Sequence, residues 1–238
     1  TQIPQICLQT GRGRHGMIAC TQPRRIAAVT VAERVAQEMG AAGRLVGWQH
    51  RFARNTTRDT KIKFMTDGIL LAELRDNPML PQYDTIMVDE AHERTLNIDF
   101  ILGCLKKILP RRPDLKVVVS SATLETARFS AFFGGAPVVT IPGRTFPVDV
   151  RHRELDEDAD LAQGVADAAL GALSEMPEGD LLVFLPGERD IRAASDVLRE
   201  RVPSGVLVIP LMASLPPGEQ RRAFQTIPGT RRIVVSTN

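Results

Sequence analysis

Short apolar runs alternate along this chain with stretches of helical period, and the alternation predicts its elements. Residues 2–9 read as the tail of a helix stopped at Thr10-Gly11, and Gly16 to Cys20 as a strand. From Ile26 the apolar set Val29, Ala32, Val35 and Met39 keeps helical spacing until Gly40, with Pro23 predicted to open that helix. Strands are predicted over 45–52 and 61–65, then a helix over 67–75 that cannot continue past Pro78. Ile86-Met87-Val88 has no polar alternation, which predicts a strand buried on both faces, and Lys116 to Ser120 reads the same way. A helix over 98–109 joins the two, and the 32 positions from Asp89 to Ser121 suffice for one crossover. Past Pro142-Gly143-Arg144 the alternation restarts: extended 146–151, helix 159–174, strand 181–185, helix 188–201, strand 206–209, helix 218–224, strand 232–235. Strand, helix, strand repeated in this order predicts α/β units with mainly parallel sheets, divided into 1–143 and 144–238.

Composition narrows the class. With 43% hydrophobic and 24% charged residues, the chain has the make-up of an ordinary globular protein able to bury a core. A net charge of only +2 gives no compositional warrant for nucleic-acid binding. Residues 1–60, however, hold nine arginines against Glu33, Glu38 and Asp59, a candidate basic face, whereas Glu154 to Asp160 reads as a solvated helix entry. Cys7, Cys20 and Cys104 have no metal-ligand spacing and read as small buried hydrophobes. No apolar run approaches membrane-spanning length and no signal-peptide layout opens the chain, so a cytoplasmic location without a membrane partner is expected. Trp48, Phe64 and the other aromatics read as core, since 5% aromatic residues is little for an extended stacking platform. His15, His50 and His152 lack a partner pattern and read as surface or packing residues.

Candidate chemistry begins where the most apolar strand ends. Asp89 and Glu90 follow Val88 directly, and ligands of open parallel sheets bind at the carboxyl ends of the strands. Two carboxylates there suit Mg2+ binding and the orientation of a water against a phosphate, although a turn and a helix start would also use them. Arg24 and Arg25 fall in the first turn predicted after Pro23, where the helix dipole disfavours cations, so an anion is expected beside them. A phosphate held by guanidinium and helix amides fits, and so does a carboxylate from elsewhere in the protein, the better reading for one of the two. Thr66, at a strand end before Asp67-Gly68, and Arg51 are further backbone-contact candidates. Leu185-Pro186-Gly187 ends a strand on a glycine that permits close approach of a ligand.

Four blocks then stand in fixed order: Thr21-Gln22-Pro23-Arg24-Arg25, Thr66-Asp67-Gly68-Ile69-Leu70-Leu71-Ala72-Glu73, Asp89-Glu90-Ala91-His92-Glu93-Arg94 and Ser121-Ala122-Thr123. Together they resemble the DEAH-box RNA helicases, and the wording around them, including Leu109-Pro110-Arg111-Arg112-Pro113, is most similar to the bacterial HrpA type. The resemblance runs over essentially the whole chain. It implies two RecA-like domains of the P-loop NTPase type, the second incomplete, that close on Mg-ATP and grip single-stranded RNA. It also implies a phosphate-binding loop, GxxGxGKT, just before Thr1, and an arginine-finger block after Asn238; neither is in the sequence. The chain alone is therefore expected to be inactive in ATP hydrolysis.

Roles follow from the resemblance residue by residue. Asp89 is expected to hold Mg2+ with Glu90, Glu90 to polarise the attacking water, and His92 to link the site to the second domain. Ser121 and Thr123 would couple hydrolysis to strand movement, turn or cap hydroxyls being the plain alternative. Thr1 would lie against the nucleotide, and Arg34 would stack on adenine unless it is a salt-bridged surface arginine. Arg24, Arg25, Arg51, Thr66, Gly187, Thr237 and Asn238 would contact RNA phosphate and ribose, with little sequence preference. Two other readings stand beside this one: a non-catalytic nucleic-acid-binding or interaction module, and a DEAH ATPase acting on DNA, since no residue reads a 2'-hydroxyl decisively.

Overall fold

The structure is a computed structural model, and it describes residues 1–122, 126–143, 146–152, 154, 160–225 and 227–237, the side chain of Pro217 excepted. The chain divides into two compact units, Thr1–Arg144 and Thr145–Asn238.

The first unit holds a six-stranded sheet made of β1 (Met17–Gln22), β2 (Val46–His50), β3 (Ala53–Asn55), β4 (Ile62–Thr66), β5 (Tyr83–Val88) and β6 (Lys116–Val119), in the order β3-β2-β4-β1-β5-β6. All pairings are parallel except the antiparallel β2–β3 hairpin. Successive residues of a strand face opposite sides, so a strand between two helical layers must be apolar throughout. That is why Ile86-Met87-Val88 reads as an unbroken apolar run; Asp84 and Thr85 at the start of β5 are buried too, and are satisfied by hydrogen bonds with Gly13, Arg12 and each other. Ile86 and Val88 pack towards α3 (Asp67–Asp76) and α4 (Leu96–Ile108), while Met87 packs with Ile18, Cys20, Ile62 and Phe64 towards α1 (Gln2–Gln9) and α2 (Arg25–Glu38). Each fully buried Ile contributes about 1.5–3 kcal/mol by area removed from water.

Chain direction around β1 fixes where a crevice opens. From β1 the chain leaves through α2 for β2, returns to β4, then crosses β1 through α3 to reach β5 and continues through α4 to β6. Connections leave β1 and β5 towards opposite edges, so the switch point lies between their carboxyl ends, at Gln22 and Asp89. The second unit has three parallel strands, β7 (Leu181–Phe184), β8 (Val206–Leu211) and β9 (Arg231–Ser236), ordered β7-β9-β8. One layer of its core comes from α6 (Leu161–Glu175) and α7 (Glu188–Arg201), through Ala166, Leu173, Ile191 and Leu198.

Several expectations change. Pro23 does not open the helix: it follows the last residue of β1, whose extended backbone a following proline favours, and α2 starts only at Arg25, with Arg24 as its extended N-cap. The strand expected over 45–52 ends at His50, and Arg51-Phe52 make a turn into β3. β6 is half-exposed, since among the described residues it is the outer strand of the sheet. Residues 146–151 form no strand, and α5 (Thr126–Phe132) was not anticipated.

Candidate functional site

Asp89 is held from both sides. Its Oδ2 accepts from Gln22 Nε2 at 2.6 Å, across the switch point, and its Oδ1 accepts from the Ser120 hydroxyl and from the Glu90 N–H at 3.0 Å. Ser120 follows β6 and is itself pinned by the backbone, its N–H donating to Val88 O at 2.9 Å and its carbonyl accepting from Ala91 N–H at 3.0 Å. The side chains of three strand ends therefore meet on one carboxylate.

Beyond Asp89 the backbone is forced into a tight 3-10 turn, Ala91–His92–Glu93, flanked by two left-handed residues, Glu90 (φ 53°) and Arg94 (φ 47°). Neither is glycine, so each costs about 1–3 kcal/mol of backbone strain, and such strain persists where the surroundings hold it. The turn directs the Glu90 side chain outward, 44% exposed, while His92 stays 24% exposed. His92 Nδ1 accepts from Ala122 N–H at 3.2 Å, which puts its proton on Nε2, 3.3 Å from Glu90 Oε2. His92 thus ties Glu90 to the loop after β6 within the first unit.

Around this centre the carboxyl ends of β1 and β4 contribute polar groups. Thr66, paired in register with Gln22, caps α3 without a side-chain bond to the helix. Asp67, 4% exposed, has its carboxyl pushed up to about 6 by burial, with the Thr21 hydroxyl offsetting part of the rise and Glu93 adding to it. Thr21 is close to it, yet neither Thr21 Oγ1 nor Asp67 Oδ1 completes a hydrogen bond of good geometry.

The cationic residues separate into two kinds. Arg24 sits 3.7 Å from Glu93, and Arg34 is 2.7 Å from Glu38, a carboxylate that also accepts from Gln2 and Gln5. For both, the carboxylate that the alternative reading calls for is present. Arg24 is the N-cap of α2 and Arg25 its first helical residue, so both stand at the positive end of the helix dipole. Arg25 and Arg51 instead lie over the ring of Phe52, at 5.2 and 5.6 Å from its centre. Phe52 is 69% exposed, contrary to the reading of the aromatics as core; Phe64, at 2%, fits that reading.

The other candidates are spread more widely. Thr1 is exposed at the start of α1, its carbonyl accepting from Gln5. Gly187 is the N-cap of α7 in extended backbone (φ −161°), which any residue adopts, and a Cβ there would touch only Asp190, so the fold itself does not demand glycine. Thr237 follows β9, next to the end of β7, so Gly187 and Thr237 share one end of the second sheet. Thr123 and Asn238 lie outside the described residues. From the end of β6, the side chain that bonds to Asp89 is that of Ser120, one position before Ser121.

No protein-family profile matches the chain. Curated relatives do: "ATP-dependent RNA helicase HrpA" of Escherichia coli K12 is 49% identical over all of this chain and 19% of its own length. Proteins named as HrpA or its homologue in Haemophilus influenzae and Borreliella burgdorferi are 46% and 42% identical over the whole chain, covering 18% and 30% of those proteins. The chain is homologous throughout to HrpA-type helicases. Among solved structures, the DEAH/RHA helicase HrpB of Escherichia coli superposes with a TM-score of 0.86 at 32% identity, over all of this chain and 30% of that one. The DEAH-box likeness read from the four blocks is thus shared by sequence and fold, and the chain spans between 18% and 30% of the length of the HrpA relatives it matches.

Against that background, sequence reasoning missed Gln22, Ser120 and Phe52. Gln22 was inside a block already singled out and is the last residue of its strand, a position that at a switch point faces the crevice. Ser120 carried the same signal, the first polar residue after Val117-Val118-Val119.

Proposed function

We propose that this chain is part of the motor core of an ATP-dependent RNA helicase, in which hydrolysis of Mg-ATP drives movement along single-stranded RNA. The observation that supports this most is the Asp89 carboxylate, oriented by Gln22 and Ser120 at the switch point of a parallel sheet, with Glu90 turned outward beside it. Mg2+ is ordinarily held by one or two carboxylates, several waters and the substrate's phosphates, and does not need a full cage of protein ligands. Asp89 and Glu90 fit that requirement, in keeping with the absence of any cluster of three or more metal-ligating side chains among the described residues. Bound there, the ion would neutralise charge developing on the transferred phosphoryl group.

The remaining roles belong to the chain. Glu90, with His92 Nε2–H on one oxygen, keeps its other oxygen for a water proton, and the bond to His92 fixes its direction. Arg24, Arg25, Arg51 and Thr66 in the first unit, and Gly187 with Thr237 in the second, offer donors and close backbone approach to phosphate and ribose. All such contacts are sequence-neutral. The chain contains no GxxGxGKT loop to hold the β and γ phosphates, so on its own it is proposed not to turn over ATP. Among the described residues no helix is long and apolar enough to cross a membrane.

The test is ATP hydrolysis by the full-length protein with and without RNA or DNA homopolymers, with Glu90→Gln alongside. Stimulation by RNA, a loss of at least about 100-fold in Glu90→Gln, and retained RNA binding in that variant are expected. Equal stimulation by DNA would redirect the substrate assignment, and full activity in Glu90→Gln, or steady hydrolysis by residues 1–238 alone, would refute these roles.

A further inference from the structure

Phe52 breaks the ordinary rule for a large apolar side chain: it stands 69% exposed in the turn between β2 and β3. It is nonetheless held. Its backbone N–H donates to His50 Nδ1 at 3.3 Å, and the two rings meet edge to face, centres 6.5 Å apart and planes at 62°. His50 is stacked in turn on Trp48, 5.3 Å away and within 7° of parallel. A run of rings therefore leads from the sheet to the turn and fixes the Phe52 ring from behind.

Two guanidinium groups then use that ring. Arg25 and Arg51 come from separate elements, 26 positions apart in sequence, and both approach it at cation–π distance, 5.2 and 5.6 Å. Neither has a carboxylate within ion-pair distance among the described residues, whereas Arg24 and Arg34 nearby each have one. Two uncompensated like charges gathered on one exposed ring repel each other and are individually costly to order. Burial, with Arg25 adding to it, lowers the pKa of His50, in keeping with a neutral ring whose Nδ1 accepts from the Phe52 N–H. An anion held by both cations would offset that repulsion.

We propose that Phe52 is a positioning residue for nucleic-acid backbone: its ring holds the Arg25 and Arg51 guanidinium groups together as one phosphate-binding pair. This rests on the reading of those arginines as backbone contacts. Because the cations already occupy the ring, Phe52 acts through them and not by stacking on a base.

The experiment is fluorescence-anisotropy titration of the full-length protein with a labelled oligouridylate and with an abasic strand of the same length, at several salt concentrations. Phe52→Ala should weaken binding to both strands by about 5- to 30-fold, the worth of two exposed cation–π contacts. Phe52→Tyr should restore it, and Phe52→Ala added to Arg25→Ala/Arg51→Ala should cost nothing further. Wild-type affinity in Phe52→Ala, a loss confined to the base-bearing strand, or an undiminished loss in the double-arginine background would each overturn the assignment while leaving RNA binding intact. Failure of the wild-type protein to bind either strand would overturn the underlying reading, and this assignment with it.

Discussion

Removing either member of the Lys63–Glu73 ion pair should destabilise the first unit, and by unequal amounts. Lys63 on β4 is 7% exposed and donates to Glu73 Oε1 at 2.6 Å and to the Tyr83 hydroxyl oxygen at 3.2 Å. Glu73 on α3 is 23% exposed and also accepts from the Tyr83 hydroxyl at 2.7 Å and from Gln82 at 3.4 Å. Burial, followed by the Glu73 charge, pushes the Tyr83 phenol well above its usual range, so it remains a donor at any working pH. Glu73→Ala leaves an ammonium buried without its counter-charge, at a cost of about 3–5 kcal/mol. Lys63→Met leaves a partly hydrated carboxylate with two donors still in place, at a cost of about 1–3 kcal/mol.

With a urea dependence of about 2 kcal/mol per M, the midpoint should fall by about 1.5–2.5 M for Glu73→Ala and by about 0.5–1.5 M for Lys63→Met. Fluorescence of Trp48, the single tryptophan, reports the first unit alone. The double variant Lys63→Met/Glu73→Leu should be less destabilised than the sum of the single changes, since it strands no charge. Equal losses in the two single variants, or additivity in the double, would refute the idea that desolvation of the deeper ion sets the cost. The pair matters for the site because it joins β4 to α3, at whose junction Thr66 and Asp67 stand.

Two further outcomes follow from the same site. Asp67 has a folded-state pKa of about 6, raised from 3.8, so the folded protein binds a proton more tightly than the unfolded chain. Stability should therefore fall as pH rises from about 4 to about 6 and level off above, and Asp67→Asn should remove about 1–3 kcal/mol of that decline in urea titrations at stepped pH; an unchanged slope would contradict the assignment. Ser120→Ala and Gln22→Ala, each removing one bond to Asp89, should lower the ATP turnover of the full-length protein by about 10-fold or more while shifting stability by only about 0.5–2 kcal/mol; turnover unchanged in both would mean that Asp89 needs no such support.

How much could be read in advance depended on whether a feature was local. The parallel α/β character, β5 and the acid pair were legible because a doubly buried strand leaves an unbroken apolar run, and a carboxylate at its end stands out. β6 has the same apolar letters but lies half-exposed, because sheet order is not a property of the strand itself. Likewise, the left-handed backbone at Glu90 has no letter of its own: nothing in Asp-Glu-Ala-His distinguishes a strained turn from an ordinary helix start. Phe52 departs from the core reading for a related reason, as hydrophobicity alone cannot say that a ring will stay exposed in a turn with its neighbour Arg51 and the sequence-distant Arg25 beside it. The family resemblance supplied the roles of Asp89 and Glu90, but geometry supplied their neighbours.

The neighbours also separate the two acids. Each carboxylate oxygen offers two lone pairs. On Asp89, Oδ1 already receives the Ser120 hydroxyl and the Glu90 N–H, whereas Oδ2 receives only Gln22, so one free site remains, on the oxygen facing the switch point. Asp89 is thus oriented and nearly saturated, as suits a fixed anchor for an ion shared with water and phosphate. Glu90 is exposed, carried on a strained residue and touched by one imidazole, so it keeps acceptor capacity for a proton. Adjacent residues of identical charge type meet different surroundings because one follows a strand among three neighbours and the other begins a turn. Exchanging them, Asp89→Glu with Glu90→Asp, would conserve charge and motif class yet should abolish turnover, since neither the bonds to Gln22 and Ser120 nor the reach of the second acid would be preserved.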